Sequence, residues 1–247
     1  MSRKIEVCLT PALLGLYDIK NSIVVVIDVL RATSSMVYGI DNGATSIIPV
    51  SNVEDCLKYA DHGYLLAAER NGEVVAGYNF GNSPFSYTKE RVAGKTVVLT
   101  TTNGTKALHQ ASATAKQVVI GSFLNLESLC SWLKTQEADV LLLCAGWKDL
   151  ANLEDTLFAG AVVKNLKGSF TEFDDSCVIA EDLYNLAEHD LNAYMTKSSH
   201  SHRLAALNIG EDVKFCLQLN ICEAIPVLVG DTLVALNQEN NIKREAS

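Results

Sequence analysis

The chain has 247 residues, 48% of them hydrophobic and 20% charged, with a mean hydropathy of +0.14 and only 15 Gly and 4 Pro; so much apolar surface can offset the entropy of ordering, which excludes a disordered, collagenous or coiled-coil chain and leaves one or two lobes around a sizeable core. Twenty Lys and Arg against 29 Asp and Glu give a formal charge of −9, a field that repels nucleic acid and anionic lipid but still lets a few converging cations and backbone N–H groups hold a small anion. Seven Cys, an odd number without a Cys-x-x-Cys pair and mostly in apolar company such as Cys144 and Cys216, read as free buried thiols of a reducing, cytoplasmic compartment.

The first apolar stretch, Val7 to Tyr17, imitates a signal peptide, but Glu6 and Pro11 interrupt it and no small-residue cleavage site follows. No apolar run approaches the roughly 20 residues that span a bilayer, so no membrane association is expected. Short runs rich in β-branched residues predict strands at Ile23–Ile27, Ser46–Val50, Tyr64–Ala68, Thr96–Thr100, Gln117–Ile120 and Asp139–Cys144. Helical patterns, clearest at Val53–Ala60 and Leu126–Lys134, lie between them. Strand and helix in alternation predict an α/β fold, a mainly parallel sheet with helices on both faces. After Asn152 the pattern becomes long helical segments to about Asn220, and Pro226–Leu236, with Gly230-Asp231 inside it, predicts a hairpin. No repeat, low-complexity tract or long linker occurs, so residues 1–247 are expected to form one unit, with any boundary between two tightly joined lobes near 145–155. The polar end, Asn237 to Ser247, is expected to fray.

Chemistry is expected where strands end, because open α/β sheets bind ligands beyond the carboxyl ends of their strands. Ile23–Ile27 runs into Asp28-Val29-Leu30-Arg31-Ala32-Thr33-Ser34-Ser35, which gathers a carboxylate, a cation and three hydroxyls; Asp28 either faces a site there or merely caps the next helix. The strand Tyr64–Ala68 is followed by Glu69-Arg70, then by an irregular segment, Ala76 to Pro84, of a type that lines sites. Thr96–Thr100 leads into Thr101-Thr102-Asn103-Gly104-Thr105-Lys106, either an anion site at a helix N-terminus or an ordinary capped turn. Glu154-Asp155 opens a helix as a solvated partner of its dipole or as metal ligands. His200-Ser201-His202 reads as a surface loop or helix start, with no third ligand at zinc-site spacing.

Several familiar machineries are absent. Gly94-Lys95-Thr96 mimics the end of a P-loop, but the first glycine of that motif would fall at Lys89. No Cys has an Arg six positions on, no Arg-His-Gly occurs, and Asp28-Val29-Leu30 lacks the second acid of an Asp-x-Asp phosphatase. Neither a Gly-x-Ser-x-Gly elbow nor a Gly-x-Gly-x-x-Gly loop is present.

Five blocks in order, Asp28 to Ser34, Ala68-Glu69-Arg70, Phe80-Gly81-Asn82-Ser83-Pro84, Thr101 to Thr105 and Glu211 to Cys216, resemble the 2-phosphosulfolactate phosphatase family, and the likeness runs from about Lys4 to Leu236. It implies an α/β fold particular to that family. It also implies a Mg-dependent phosphomonoesterase that releases phosphate from (2R)-O-phospho-3-sulfolactate, a step toward coenzyme M in organisms that make it. With that activity in view, Asp28 and Glu69 are the expected Mg²⁺ ligands, with Glu154 as a third and Asp155 as a base or further ligand. Arg31 and Arg70 are expected to clamp phosphate or sulfonate. Thr102, Asn103, Gly104 and Thr105 would cradle phosphate oxygens, and Asn82 and Ser83 would orient the other end of the substrate. The alternatives at this level are a phosphatase for another small anionic phosphoester and a noncatalytic binder of a phosphorylated or sulfonated metabolite. Oligomeric state and the choice between water and carboxylate as nucleophile are not encoded in any spacing.

Overall fold

The computed structural model describes residues 3–70, 73–101, 103–207 and 209–238, the side chains of Arg70 and Glu73 excepted. Its strands are β1 (Lys4–Cys8), β2 (Ser22–Ile27), β3 (Ser46–Pro49), β4 (Leu65–Arg70), β5 (Glu73–Val74), β6 (Thr96–Thr100), β7 (Gln117–Gly121), β8 (Asp139–Cys144), β9 (Glu172–Phe173), β10 (Pro226–Val229) and β11 (Thr232–Ala235). Five helices alternate with the first strands: α1 (Ala32–Asp41), α2 (Val53–Leu57), α3 (Lys89–Val92), α4 (Gly104–Ser112) and α5 (Leu126–Lys134). Five more, α6 (Leu153–Leu166), α7 (Asp175–Ala187), α8 (Leu191–Met195), α9 (Ser199–Ala206) and α10 (Gly210–Cys216), fill the second half.

A run such as Ile23 to Ile27, buried on both faces, belongs in the interior of a covered sheet. Its alternate residues feed two cores: Ile23, Val25 and Ile27 pack on α5 and α6 through Leu129 and Phe158, and Val24 and Val26 pack on α1 and α4 through Val37 and Leu108. The sheet is α/β and mainly parallel, in the order β5-β4-β6-β3-β11-β10-β7-β2-β8-β1-β9. β7, β2, β8 and β1 are mutually parallel, as are β3, β6 and β4. Between these groups sits the antiparallel hairpin β10–β11, which pairs with β7 on one side and β3 on the other. The two parallel groups therefore run in opposite directions, but strand twist of roughly 20–25° per step accumulates across the sheet. The second core is continuous from Val24 and Ile120 to Leu99 and Ala67, so the sheet curls around α1 and α4 and brings the tips of β2 and β6 together.

Thr96–Thr100, Asp139–Cys144 and Leu126–Lys134 have the bounds expected of them. The hairpin turns at Gly230 with φ +58°, where a side chain would be strained. Its place in the middle of the sheet is not local information. β1, hidden in the signal-like stretch, pairs parallel with β8 in the register Val7 with Leu142. The helical tract after Asn152 is divided by caps: Asp174 accepts from Cys177 N at 2.8 Å, Asp190 from Ala193 N at 2.9 Å and Ser198 Oγ from Ser201 N at 3.2 Å. All seven cysteines are free and buried; burial pushes the Cys8 thiol up to about 11. No helix among the described residues is long and apolar enough to cross a membrane.

Candidate active site

Beyond the ends of β2, β4 and β6 the connecting segments enclose a cavity of about 420 Å³, within the range that takes a small-molecule substrate whole. Asp28, Arg31, Asn82 and Asn103 line it from these segments, and Glu69 from the end of β4 itself. Trp147 and Lys148, after β8, and His200 and Arg203, on α9, also line it, together with apolar side chains such as Leu30 and Leu204.

The hydroxyls after Asp28 fix the loop. Asp28 N donates to Thr33 Oγ1 at 3.0 Å and Thr33 N returns a bond to Asp28 O at 2.9 Å. Ser34 Oγ donates to Val29 O at 2.8 Å, and Ser35 Oγ donates to Asn82 O at 2.6 Å, tying this loop to the Asn82 segment. The Asp28 carboxylate accepts from Ala32 N–H at the start of α1 and packs on Gly104 at the start of α4. A Cβ on residue 104 would stand 2.8 Å from Asp28 Oδ2 and 2.8 Å from Ala32 Cβ, so glycine is needed for this approach. Burial pushes the Asp28 carboxyl up to about 6; the charge of His200 works downward, and Glu154 and Glu69 work upward.

Arg31, only 4% exposed, is bonded through Nη1 to Asp212, and its Nη2 lies 3.8 Å from Glu69. Asp155 lies beneath the cavity: Oδ1 accepts from Val29 N at 2.9 Å and Oδ2 from Gly146 N at 3.1 Å. It thus braces the loops after β2 and β8. Burial, followed by the charges of Asp28 and Glu154, holds its carboxyl well above the usual range. Glu154 is fully buried, accepts from Asn152 Nδ2 at 3.1 Å and is bonded to His200 Nδ1. Thr105 donates its hydroxyl to Thr101 O at 2.8 Å and its N–H to Thr101 Oγ1 at 3.2 Å. Ser83 and Thr105, like Glu154 and Asp155, lie off the cavity wall. Thr102 is outside the described residues, as is the side chain of Arg70, whose backbone ends β4.

The loop after β8 is tightly wound. Trp147 N donates to Leu150 O at 2.9 Å and Leu150 N to Trp147 O at 3.1 Å. Between them Lys148 and Asp149 take φ of +52° and +61°, the two left-handed residues of a type I′ turn, each at a cost of roughly 1–2 kcal/mol for a residue with a Cβ.

Among the described residues no three His, Cys, Asp or Glu side chains are grouped to hold a metal ion. The cavity wall does hold hard oxygen donors: Asp28, Glu69 and Asn82, whose Oδ1 is buried without a hydrogen-bond partner among the described residues. Such a set suits a cation like Mg²⁺, which takes one or two carboxylates and completes its shell with water and substrate.

Asp28, Arg31 and Asn103 are legible in the sequence because they follow strands, Glu69 because it lies at the end of one, and Asn82 because it belongs to the irregular segment Ala76 to Pro84. The cavity-facing role of His200 is not legible there, since Ser198 and the polar residues after it mark only a helix start. Trp147 closes the segment Ala145-Gly146-Trp147 at the end of a predicted strand, Arg203 and Lys148 carry no local signal of their own, and Asp212 lies in the block Glu211 to Cys216 without an assigned partner.

A family model described as 2-phosphosulpholactate phosphatase matches residues 8–231. A protein of Thermotoga petrophila is 41% identical over 210 residues, which is 85% of this chain and 90% of the relative. One of Caldanaerobacter subterraneus subsp. tengcongensis is 39% identical over 217 residues, 85% of this chain and 89% of its own. A third, of Clostridium novyi, is 34% identical over 227 residues, 90% and 96% of the two chains. All three bear the name probable 2-phosphosulfolactate phosphatase.

Proposed function

Because the chain belongs to the 2-phosphosulpholactate phosphatase family, phosphoric monoester hydrolases by name, we propose that it hydrolyses (2R)-O-phospho-3-sulfolactate to 3-sulfolactate and phosphate with Mg²⁺, a step toward coenzyme M where a cell makes that cofactor. The observation that carries this reading is the convergence of Asp28, Glu69, Asn82, Arg31 and Asn103 from separate strand ends on one cavity. Asp28 and Glu69 would hold the cation, with Asn82 Oδ1 as a neutral oxygen beside them. When bound, such an ion offsets charge on the phosphate oxygens.

The chain's own residues then have distinct tasks. Arg31 is locked by Asp212, so its remaining N–H groups meet a phosphate oxygen without reorganising; Arg70 and Thr102 are assigned to the same phosphate. Asn103 and the N-terminus of α4 receive a further oxygen. His200, with Nδ1 engaged by Glu154, is oriented to present Nε2 to the cavity it lines. As water adds to phosphorus and the ester P–O bond breaks, the leaving oxygen takes the proton of Nε2, and the water's proton restores the imidazole through solvent. Asp155 keeps the loops after β2 and β8 in register beneath these groups.

The direct test is phosphate release from 2-phospho-3-sulfolactate with and without Mg²⁺. Release that requires the ion supports the reading, and tight binding without turnover of any phosphoester would replace it by a noncatalytic binder. His200→Gln is expected to lower kcat for the alkyl phosphate by about 10²-fold, the usual worth of a placed proton donor. For p-nitrophenyl phosphate, whose leaving group needs no proton, the loss should shrink to a fewfold; equal losses on both would remove His200 from that role. Gly104→Ala is expected to reduce stability by about 1–3 kcal/mol through overpacking and, by moving the Asp28 carboxylate, to cut kcat/KM at least about tenfold; urea unfolding and steady-state kinetics check the two parts.

A further inference from the structure

Two cations on the cavity wall have no carboxylate within ion-pair distance among the described residues. Arg31 is held between Asp212 and Glu69, and Lys106 is paired with Asp149 at 2.8 Å. Lys148 and Arg203 line the cavity outside all the ion pairs of the described residues. Both instead rest on one indole: Arg203 Cζ is 4.2 Å and Lys148 Nζ 4.5 Å from the centre of the Trp147 ring. A ring face attracts such heads through its quadrupole and limits the orientations they must give up on meeting an anion.

The backbone around them is constructed for this placement. Lys148 and Asp149 keep left-handed φ although both carry a Cβ, and Gly146 cannot be larger, because its Cβ would stand 2.3 Å from Leu150 O. The bridge from Lys106 to Asp149 fastens the turn to α4, the helix whose N-terminal Asn103 faces the same cavity. Strained residues that the surroundings hold in place gather at ligand clamps.

We infer that Lys148 and Arg203, seated on Trp147, form the subsite for the substrate's sulfonate and set the specificity for it. The inference rests on the reading of this cavity as the phosphatase site. A sulfonate remains ionised at physiological pH and offers three oxygens in a tetrahedral array, so it can meet two cations arriving from different elements. A planar carboxylate is better served by one bidentate fork. The weak hydration of guanidinium also favours a diffuse anion over a compact one.

The test compares kcat/KM for 2-phospho-3-sulfolactate and for 2-phospholactate, in which a methyl group replaces the sulfomethyl. Arg203→Met is expected to lower the value at least tenfold more for the sulfonated substrate, chiefly through KM. Lys148→Asn, which suits left-handed backbone, is expected to do so at least threefold more. Titration calorimetry with 3-sulfolactate and with lactate needs no turnover: the wild type should prefer 3-sulfolactate, and Arg203→Met should weaken its binding at least tenfold. Equal losses on the two substrates, or a 3-sulfolactate affinity unmoved by Arg203→Met, overturn the inference and leave the phosphatase reading standing. If no phosphate is released from any ester but 3-sulfolactate binds through Arg203, the subsite holds and the catalytic reading falls.

Discussion

Asp28→Asn is expected to lower kcat for phosphate release about a thousandfold, the scale seen when a preorganised electrostatic partner is removed, and at the same time to make the fold more stable at neutral pH. The two effects have one origin. Burial lifts the Asp28 carboxyl from 3.8 to about 6, so the folded chain binds this proton more tightly than the unfolded chain. Stability is therefore lost as pH rises from about 4 to about 6, and above that the ionised Asp28 carries a penalty on the order of 1–3 kcal/mol, from about two units at 1.4 kcal/mol each as an upper bound. Asparagine keeps the shape and can still accept from Ala32 N–H, but it brings no charge to be buried. Melting curves in chelator should show the variant above the wild type at pH 7.5, with the gap closing toward pH 4. The outcome also decides between the two meanings that a carboxylate after a strand can have: a mere helix cap would leave activity within tenfold and give no gain in stability. The expectation is the same whether water or Asp28 itself attacks phosphorus. Rapid acid quench during turnover, which traps a phosphorylated Asp28 only if the carboxylate attacks, separates those cases.

Gly160→Ala should be the most damaging of the small substitutions. Where α6 crosses α7, a Cβ on residue 160 would stand 1.9 Å from Ala180 O and 2.9 Å from Tyr184 Cβ. The first contact is with backbone, which cannot rotate away, so the helices must separate. Overpacking of this kind costs about 3 kcal/mol or more, equivalent to a fall in Tm of roughly 6–12 °C for a chain of this size. The consequence for activity follows from geometry, because Glu154 and Asp155 occupy the first turn of α6. Shifting that helix disturbs both the bond to His200 and the brace on Val29 and Gly146. Gly210→Ala is the matched control. It has nothing within 4 Å of its added Cβ and is expected to stay within about 0.5 kcal/mol of the wild type; urea unfolding of the two variants provides the comparison.

How far these features could be read in advance depended on whether their cause was local. Thr96–Thr100 and Asp139–Cys144 were legible because each is a buried run bounded by polar residues. β1 was not, because Val7 and Cys8 continue into Leu9 and the short 3-10 turn at Pro11–Leu16, which blurs the alternation. The position of the hairpin between β7 and β3 depends on pairing partners about a hundred residues or more away. The site divides in the same manner. Asp28 and Asn103 follow strands and Glu69 lies at the end of one, and strand ends are visible. Glu154 opens a helix as acids on any exposed helix do, and only tertiary burial turns it from a solvated group into the partner of His200. Thr33, Ser34 and Ser35 stand out in the sequence as hydroxyls, yet Thr33 and Ser34 fix the loop's own backbone and Ser35 ties it to the Asn82 segment, an outcome that no spacing distinguishes from ligand contact.

The late position of β10 and β11 in the chain governs how the protein is made. During synthesis the earlier strands leave the ribosome first, but their two groups have no direct partner in each other, and the facing edges of β3 and β7 stay open until residues 226–235 emerge. An open strand edge is an invitation to pair with a neighbouring chain. The nascent protein must therefore carry two adhesive borders from the emergence of β3 and β7 until β10 and β11 arrive to close the seam.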